Sequence, residues 1–458
     1  MCLPRKAAVG VILGLSSAGS ERRVAVALGN YWLNVSVGVV SLARRLAAEG
    51  FVVDVFADPA SIAESPVVDF SRQGVNVVTP SAQRSGGDRA GVSHVVKSKL
   101  PSGLLQLARS AATALAPFSH RLSRMAHAEY SASQFMTEHG APWSDGAAAL
   151  VASFRRNRYD FVLAVEPAGL VSTFYALDVV GRPQTPVVYY NLELMGWERG
   201  MRLRDLLLKD AEVWCSRRCR LVFTPDAARG RVLLASNGLD ARRMRYLAVT
   251  VDGDPIMERS DYFRARFGLD EDQVIVIYAG NVRPWAMCLE IVEAAASWPS
   301  RYVLVIHSWQ RHAAEDAYYK EVERAAEGGR VLFSKEPIAE EDFGLALSSA
   351  DVGLALYRPI DANFTETGSS SNKLAQYARS GVPVVASDFA SISEVLDRYH
   401  SGIAVRGADG ISQAVDAISG HSEAFRQGAL TSFREHYSFD HAVQSLLPEL
   451  KSLGREND

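Results

Sequence analysis

Two series of short apolar runs, separated within each series by helical segments, constrain the fold of this chain more than any other feature. The first series extends from residue 23 to residue 249, and the second from residue 274 to residue 405. Runs such as 274–279 are apolar throughout, as expected for strands that are buried on both faces. Strands that alternate with helices at these intervals form parallel sheets covered by helices. The pattern predicts an α/β chain made of two doubly wound domains that face a cleft.

The domain boundary is predicted from a polar stretch between the two series, residues 253–266, which contains Pro255. We expect a first domain over residues 1–255 and a second over 256–439. Residues 84–157 interrupt the first series and predict a helical insertion. Residues 1–20 are interpreted as an extension or an extra edge strand, and a secretory signal is the alternative because an apolar run follows two positive charges.

The stretch 365–386 predicts a small-residue loop, a short helix and a buried strand. Ser370 or Ser371 can cap the helix, and Gly381 suits the left-handed position just past a helix end. A loop of small polar residues that opens onto a helix N-terminus can bind an anion, and Lys373 adds a cation in the first turn. The stretch therefore predicts either a phosphate site or an ordinary capped helix with one solvated lysine.

Composition narrows the class of protein. The chain has 458 residues, 48% of them hydrophobic and 22% charged, and a formal net charge of -3, which argues against a general nucleic-acid binder. Its four cysteines are too few and too scattered for a disulfide framework, and they lack the histidine or cysteine partners of a zinc site. No run approaches the roughly 20 apolar residues of a membrane-spanning helix. We expect a globular protein in a reducing, cytoplasmic setting.

A basic segment lies inside the predicted insertion. Residues 89–128 contain no acidic residue, and their basic residues are Arg89, Lys97, Lys99, Arg109, Arg121 and Arg124. Leucines and alanines between residues 104 and 115 give the segment an apolar helical face. Such a segment either binds an anionic membrane surface, as a peripheral contact, or packs as an extra helical layer on the first domain.

The second series resembles the donor-binding half of a GT-B glycosyltransferase of the retaining family 4. The resemblance rests on residues 278–281 (Tyr-Ala-Gly-Asn), 350–354 (Ala-Asp-Val-Gly-Leu) and 371–387, which begin Ser-Asn-Lys-Leu. It implies an enzyme of the EC 2.4 type that moves a sugar, with retention, from a nucleotide sugar to an acceptor. That acceptor is a lipid-linked saccharide, a surface polysaccharide or a natural product. It also implies that the final helix, over residues 440–458, packs back on the first domain.

The resemblance assigns donor binding to residues at strand ends and helix starts. The diphosphate needs positive charge and N–H donors because negative charge builds on it as the glycosidic bond breaks. The residues assigned are Gly38, Asn281, Arg283, Ser371, Asn372, Lys373, Gln376, Lys335 and Glu336. No metal and no cofactor besides the nucleotide sugar is implied.

The chain departs from the family where carboxylates are expected. Gln376 stands at the position of the second glutamate of the family's pair, and Gly368 at the first, with Glu366 two residues earlier. The amide of Gln376 can still accept a hydrogen bond from a ribose hydroxyl. The usual lysine-glycine pair after the first strand is replaced over residues 285–287. Glu366 is the candidate catalytic carboxylate on the donor side.

Two further carboxylates follow strands of the first series. Glu166 stands where relatives often have a histidine near the sugar, and Glu193 follows the next strand. Either residue orients the acceptor or stabilises positive charge on the sugar, or is a solvated loop carboxylate.

Three hypotheses remain from the sequence. The first is an active glycosyltransferase, and the second is a catalytically impaired relative that binds a nucleotide sugar or a partner without transfer. A nucleotide-sugar epimerase fits the motifs less well. Hydride transfer is disfavoured because no Gly-x-Gly-x-x-Gly follows a strand.

Overall fold

A computed structural model of the chain describes residues 21–29, 37–57, 74–78, 146–196, 203–308 and 315–454. Within these residues, the first sheet has seven strands in the order β3-β2-β1-β4-β5-β6-β7, all parallel. The strands are β1 (Arg23–Ala27), β2 (Val52–Phe56), β3 (Val75–Val78), β4 (Phe161–Val165), β5 (Val187–Tyr190), β6 (Leu221–Thr224) and β7 (Met244–Tyr246).

The second sheet repeats this plan with six described strands in the order β10-β9-β8-β11-β12-β13, again all parallel. The strands are β8 (Val274–Ala279), β9 (Tyr302–His307), β10 (Val331–Ser334), β11 (Val352–Ala355), β12 (Val384–Ser387) and β13 (Gly402–Val405). In both sheets the strand order reverses beside the first strand, so a crevice opens at the carboxyl ends between β1 and β4 and between β8 and β11.

Helices cover both faces of each sheet. Those that follow strands of the first sheet are α1 (Val37–Ala48), α2 (Gly146–Arg156), α3 (Glu166–Val179), α4 (Leu203–Ser216) and α5 (Ala227–Asn237). Those of the second half are α6 (Tyr262–Phe267), α7 (Cys288–Ala295), α8 (Ala317–Ala325), α9 (Glu340–Leu347), α10 (Ala362–Thr365), α11 (Asn372–Arg379), α12 (Ala390–Tyr399), α13 (Ile411–Gly420), α14 (Ser422–Ser432) and α15 (Phe439–Ser452).

The central strands are buried on both faces because their side chains are apolar throughout. Val24 to Ala27 of β1 and Ile275 to Ile277 of β8 are fully covered. Each sheet therefore has two apolar layers, one on each face. Burial of such side chains contributes about 25 cal/mol per Å² of apolar surface and is the main stabilising contribution in both halves.

The last helix, α15, packs on the first sheet although it follows the second in sequence. Its apolar side chains Val443, Leu446 and Leu450 are buried in the same layer as α1 and β1. Arg245 at β7 makes a two-bond contact with Glu449, at 2.8 and 2.7 Å. The end of the chain thus ties the second half back to the first.

The α/β class and the two doubly wound sheets predicted from the sequence are confirmed. Helix α3 begins at Glu166 because the chain turns into the helix directly after β4. One local prediction needs correction. The predicted linker 253–266 contains the start of α6, whose Phe263 is buried against the second sheet.

Candidate functional site: the cleft cavity

The cleft between the two sheets contains a cavity of about 620 Å³, which we call the cleft cavity. Its volume is within the usual range for small-molecule sites. The first half of the chain contributes Gly38, Leu192, Glu193, Arg229 and Val249 to its lining. The second half contributes residues at the ends of β8, β9 and β11 and along α11. The cavity therefore lies where parallel sheets of this kind bind ligands, beyond the carboxyl ends of the strands.

The N-terminus of α11 forms one wall of the cleft cavity. Ser371 caps the helix by accepting from the backbone N–H of Leu374 at 3.4 Å, and its hydroxyl lies 2.6 Å from that of Tyr357. The N–H groups of a first helical turn have no partner within the helix. Asn372 and Lys373, the first two residues of α11, both line the cavity. Helix dipole and N–H groups together suit an anion here.

Lys373 is held among aromatic rings at this wall. Its ammonium lies 5.1 Å from the ring centroid of Tyr278 and 5.3 Å from those of Trp285 and Tyr357. Gly280, with φ of +147°, leaves room for the lysine, since a Cβ on it would lie 2.9 Å from Lys373 Cε. Cation–π contacts hold the ammonium without neutralising its charge. That charge remains available to an anion in the cavity.

Three buried polar atoms on the cavity lining have no protein partner. They are Asn372 Oδ1, Gln376 Oε1 and His307 Nε2. A buried polar atom without a hydrogen bond costs roughly 1–3 kcal/mol, so its presence needs an explanation. All three residues line the same cavity, and a bound ligand with several polar groups would supply the missing partners.

His307, at the end of β9, is neutral near physiological pH. Burial lowers the pKa of its imidazole to about 4. Its Nδ1 lies 3.0 Å from Ser334 Oγ, and its ring lies 5.7 Å from that of Phe343. A neutral imidazole and an aromatic ring together suit a flat, uncharged ligand group.

The two acidic residues predicted on the acceptor side lie together. Glu193 lines the cleft cavity, and its side chain is exposed there. The surrounding walls reduce its hydration and so raise the pKa of its carboxyl, while the nearby Arg229 charge opposes the shift. Glu166 lies beneath this loop. Its Oε1 accepts from the backbone N–H groups of Leu192 at 2.7 Å and Glu193 at 3.0 Å.

Glu166 has a positive backbone φ angle and a raised side-chain pKa. Its φ of +60° is costly for a residue with a Cβ, and this turn directs the carboxyl towards the 192–193 loop. Burial, followed by the neighbouring charge of Glu193, raises the pKa of Glu166 to about 8. Glu166 is therefore mostly protonated at neutral pH and does not supply a full negative charge.

Gly368, where the family has its first glutamate, has no room for a side chain. A Cβ on Gly368 would lie 2.1 Å from the carbonyl oxygen of Ser391 at the start of α12. The Gly368 carbonyl accepts from the Tyr437 hydroxyl at 2.7 Å. Glu366 lies two residues earlier, where its backbone carbonyl accepts from Arg229 at 2.8 Å.

The structure brings six of the nine predicted donor-binding residues to the cleft cavity: Gly38, Asn281, Ser371, Asn372, Lys373 and Gln376. It does not bring Arg283, Lys335 or Glu336 there.

Each of these three residues faces a charged neighbour on the outer surface of the second half. Arg283 pairs with Asp316, and its side chain is 44% exposed. Lys335 pairs with Glu323, and Glu336 with Arg266. These ion pairs leave Lys373 and Arg229 as the cationic residues among the described residues that line the cavity.

Arg229, Trp285 and His307 are among the lining residues that were not predicted from the sequence as site residues. His307 had a signal, because it ends a strand of the second series. Arg229 lies in the first turn of α5, where no motif distinguishes it from a surface arginine. Trp285 lies in the segment 285–287, where the family has a lysine-glycine pair. From the sequence this segment indicated only that the lysine is absent, and gave no reason to expect Trp285 in the site.

Comparisons with known proteins agree with this fold. No protein-family model matches the chain. A D-inositol 3-phosphate glycosyltransferase of Nocardioides sp. (strain ATCC BAA-499 / JS614) is 25% identical over 440 residues, covering 90% of this chain and 84% of that protein. The enzyme of the same name from Mycolicibacterium smegmatis (strain ATCC 700084 / mc(2)155) is 26% identical over 421 residues, covering 90% and 85%.

Among solved structures, Anabaena Alr3699/HepE in complex with UDP-glucose matches with a TM-score of 0.63 at 13% identity, covering 94% of this chain and 99% of that chain. Two Rossmann-like sheets that face a ligand-sized cleft define a protein of the GT-B fold. The chain is a glycosyltransferase that resembles the family 4 enzymes.

No described helix is both long enough and apolar enough to cross a bilayer. The basic segment 89–128, for which we predicted membrane contact or helical packing, lies outside the described residues. The same holds for residues 1–20.

Proposed function

We propose that this glycosyltransferase binds a nucleoside-diphosphate sugar in the cleft cavity and transfers the sugar, with retention, to a hydroxyl group of an acceptor. The observation that carries the proposal is the wall formed by α11. It combines a helix N-terminus, the Lys373 ammonium and two unpartnered side-chain oxygens, those of Asn372 and Gln376. These groups match a ligand with a diphosphate and neighbouring hydroxyl groups.

The nucleotide end of the cavity is proposed to lie near His307. The diphosphate at Lys373 then places the ribose near Gln376, whose free Oε1 accepts from a hydroxyl. The base lies against Phe343 and the neutral His307 ring, where a flat group without charge fits. UDP is the first nucleotide to test because the similar Anabaena structure contains UDP-glucose.

Lys373 and the N–H groups of α11 are proposed to stabilise the leaving diphosphate. Negative charge grows on this group as the glycosidic bond breaks, and donors aimed at it lower the barrier. We propose that no metal takes part. Addition of EDTA to purified enzyme is then expected to leave the rate of nucleotide release unchanged, and a loss restored by Mg²⁺ would contradict this.

The acceptor is proposed to enter beside Glu193, on the wall formed by the first sheet. It is a saccharide, a glycolipid or a small molecule with a free hydroxyl. The two curated relatives are named D-inositol 3-phosphate glycosyltransferases, so this compound belongs in the first acceptor panel.

A cytoplasmic site of action, at the inner membrane surface through residues 89–128, is a separate proposal. It rests on the basic and apolar pattern of that segment. Flotation with anionic and neutral vesicles tests it, and absence of binding to anionic vesicles would contradict it.

Nucleotide release from a panel of nucleotide sugars, with and without acceptors, tests the main proposal. The wild type is expected to release the diphosphate faster when the right acceptor is present, and Lys373→Ala is expected to lose most of this rate. Anomeric configuration of the product, read by NMR, tests retention.

A second candidate function is nucleotide-sugar binding without transfer. Gly368 favours it, because the site cannot hold a carboxylate at that position without moving Ser391. Tight nucleotide binding together with no turnover on the whole panel would establish this second function and contradict the first.

A further inference from the structure

Arg229 crosses the cleft between the two halves of the chain. It begins in α5, beside the capping residue Asp226, and only 2% of it is exposed. Its guanidinium donates to three backbone carbonyls, of Leu192 in the first half and of Asn363 and Glu366 in the second. The last two bonds are each 2.8 Å long. One side chain thus joins two loops that belong to different sheets.

The side chain of Asn363, in the second half, binds the backbone of Leu194 in the first half. Its Nδ2 donates to the carbonyl of Leu194 at 2.8 Å, and its Oδ1 accepts from the N–H of Leu194 at 2.5 Å. The Asn363 amide therefore pairs with both backbone groups of one residue, as a neighbouring strand would. Arg229 and Asn363 together make five hydrogen bonds between side chains and the two loops.

The two loops bear residues of the cleft cavity. Loop 191–194 contains Glu193. The segment 361–368, which includes the one-turn helix α10 and which we call loop 361–368, contains Asn363, Phe364 and Thr367 of the lining. Loop 191–194 is itself fixed from below, because Asn191 donates to the buried Tyr189 hydroxyl and Glu166 accepts from the backbone. Ser391 and Tyr437 bond the C-terminal part of loop 361–368 within the second half. Arg229 and Asn363 supply its hydrogen bonds to loop 191–194 and to α5.

The nucleotide end of the cavity has a separate support. Lys373, Gln376 and His307 belong to α11 and β9, which pack within the second half. None of the three bonds to Arg229, whose three side-chain hydrogen bonds go to the carbonyls of Leu192, Asn363 and Glu366. One contact links the two ends, because Phe364 lies 5.7 Å from the Trp285 ring that also packs near Lys373. The remaining support of the nucleotide end lies within the second half, so we expect loss of Arg229 to change nucleotide binding little.

We propose that Arg229 is a positioning residue, which with Asn363 holds loop 361–368 against loop 191–194 and so completes the sugar end of the cleft cavity. The proposal rests on the function proposed above, because it assigns the sugar to this end. It predicts that sugar transfer depends on Arg229 while nucleotide binding does not.

The first test needs no substrate. Hydrogen exchange of the amides in 361–368 is compared between wild type and Arg229→Ala. We expect exchange in this loop at least tenfold faster in the variant, with exchange in β8 and β9 unchanged. Arg229→Lys is expected to be intermediate, because one ammonium cannot reach all three carbonyls. Arg231→Ala, an exposed arginine on the same helix, is the matched control and should match wild type.

The second test separates binding from turnover. UDP, dTDP and GDP are titrated into both proteins, and release of the diphosphate is measured with the best nucleotide sugar. Arg229→Ala should bind the nucleotide within about twofold of wild type and lose at least tenfold in kcat. Asn363→Asp keeps the acceptor for Leu194 N–H but not the donor, and should show a smaller loss in kcat in the same direction.

Several outcomes would overturn the proposal. One is unchanged exchange in 361–368 of Arg229→Ala, and another is unchanged kcat. A parallel loss of nucleotide affinity and of exchange protection in β8 and β9 would show a general stability role instead. If Arg229→Ala does not fold, Arg229→Lys and Asn363→Asp decide by the same readouts. Failure of every nucleotide to bind wild type would contradict the proposed function. The hydrogen-exchange result would still show whether Arg229 holds loop 361–368 in place.

Discussion

Single residues in the cleft show which charges the site retains. Glu166 and Glu193 were predicted as carboxylates that orient the acceptor or stabilise positive charge on the sugar. Reduced hydration raises the pKa of both, and that of Glu166 reaches about 8. A protonated Glu166 can donate a hydrogen bond, and its other oxygen accepts from the backbone at residues 192–193. Glu193, which faces the cavity, is the better candidate for contact with the acceptor.

Replacement of Glu166 by glutamine tests this protonation state. A carboxyl whose pKa is higher in the folded protein keeps a proton that the unfolded chain releases, so it destabilises the fold as the pH rises from about 4.5 to about 8. Glutamine retains the oxygen that accepts from Leu192 and Glu193 but does not titrate. We expect Glu166→Gln to match wild type near pH 4 and to exceed its free energy of unfolding by roughly 2–4 kcal/mol at pH 9.

Urea denaturation of both proteins across pH 4–9 measures this difference. A constant difference at every pH would contradict the raised pKa. Glu193→Gln is the comparison variant, since Glu193 lies at the cavity surface.

At the scale of elements, the α11 N-terminus and the loop before it determine what the site can bind. The sequence predicted this helix, its serine cap and its lysine, because capping and stop signals are local. The close approach of Gly368 to Ser391 was not predictable, because it depends on how α12 packs beside the loop. The same limit applies to Arg283, which pairs with Asp316 and does not line the cavity.

Gly368→Ala tests that close approach. The new Cβ would lie 2.1 Å from the Ser391 carbonyl oxygen, so loop or helix must move. We expect a loss of roughly 1–3 kcal/mol in the free energy of unfolding and a fall in nucleotide-sugar turnover. Gly420→Ala, at an open position with no atom within 4 Å of the added Cβ, is the control. Equal stability of the two variants would contradict the close contact.

At the scale of the whole molecule, the chain crosses between its halves twice, near residue 250 and again near residue 438. The periodicity of apolar runs predicted two parallel sheets, because a buried strand is a run of apolar residues that the local sequence shows directly. Contacts between the halves, such as those of Arg229 and Asn363, depend on the final arrangement of both sheets. The sequence contains no local signal for them. The domain boundary at residue 255 stays a prediction.

Leu450→Ala tests the dependence of the first half on the last helix. Leu450 is fully buried among α1 and β1 side chains, so its truncation leaves a cavity in the first half. We expect a loss of roughly 2–4 kcal/mol in the free energy of unfolding. Ser445→Ala, on the exposed face of the same helix, should change little. A small effect of Leu450→Ala would show that α15 packs only loosely.

The central claim is that the cleft cavity binds a nucleoside diphosphate through Lys373. Calorimetric titration of UDP, dTDP and GDP into wild type, Lys373→Ala and the exposed control Lys320→Ala tests it most directly. We expect at least one nucleotide to bind wild type and Lys320→Ala equally, and to bind Lys373→Ala roughly 10–100-fold more weakly, because a charged hydrogen bond to phosphate is lost. Equal affinity for wild type and Lys373→Ala, or no binding of any nucleotide to wild type, would contradict the claim.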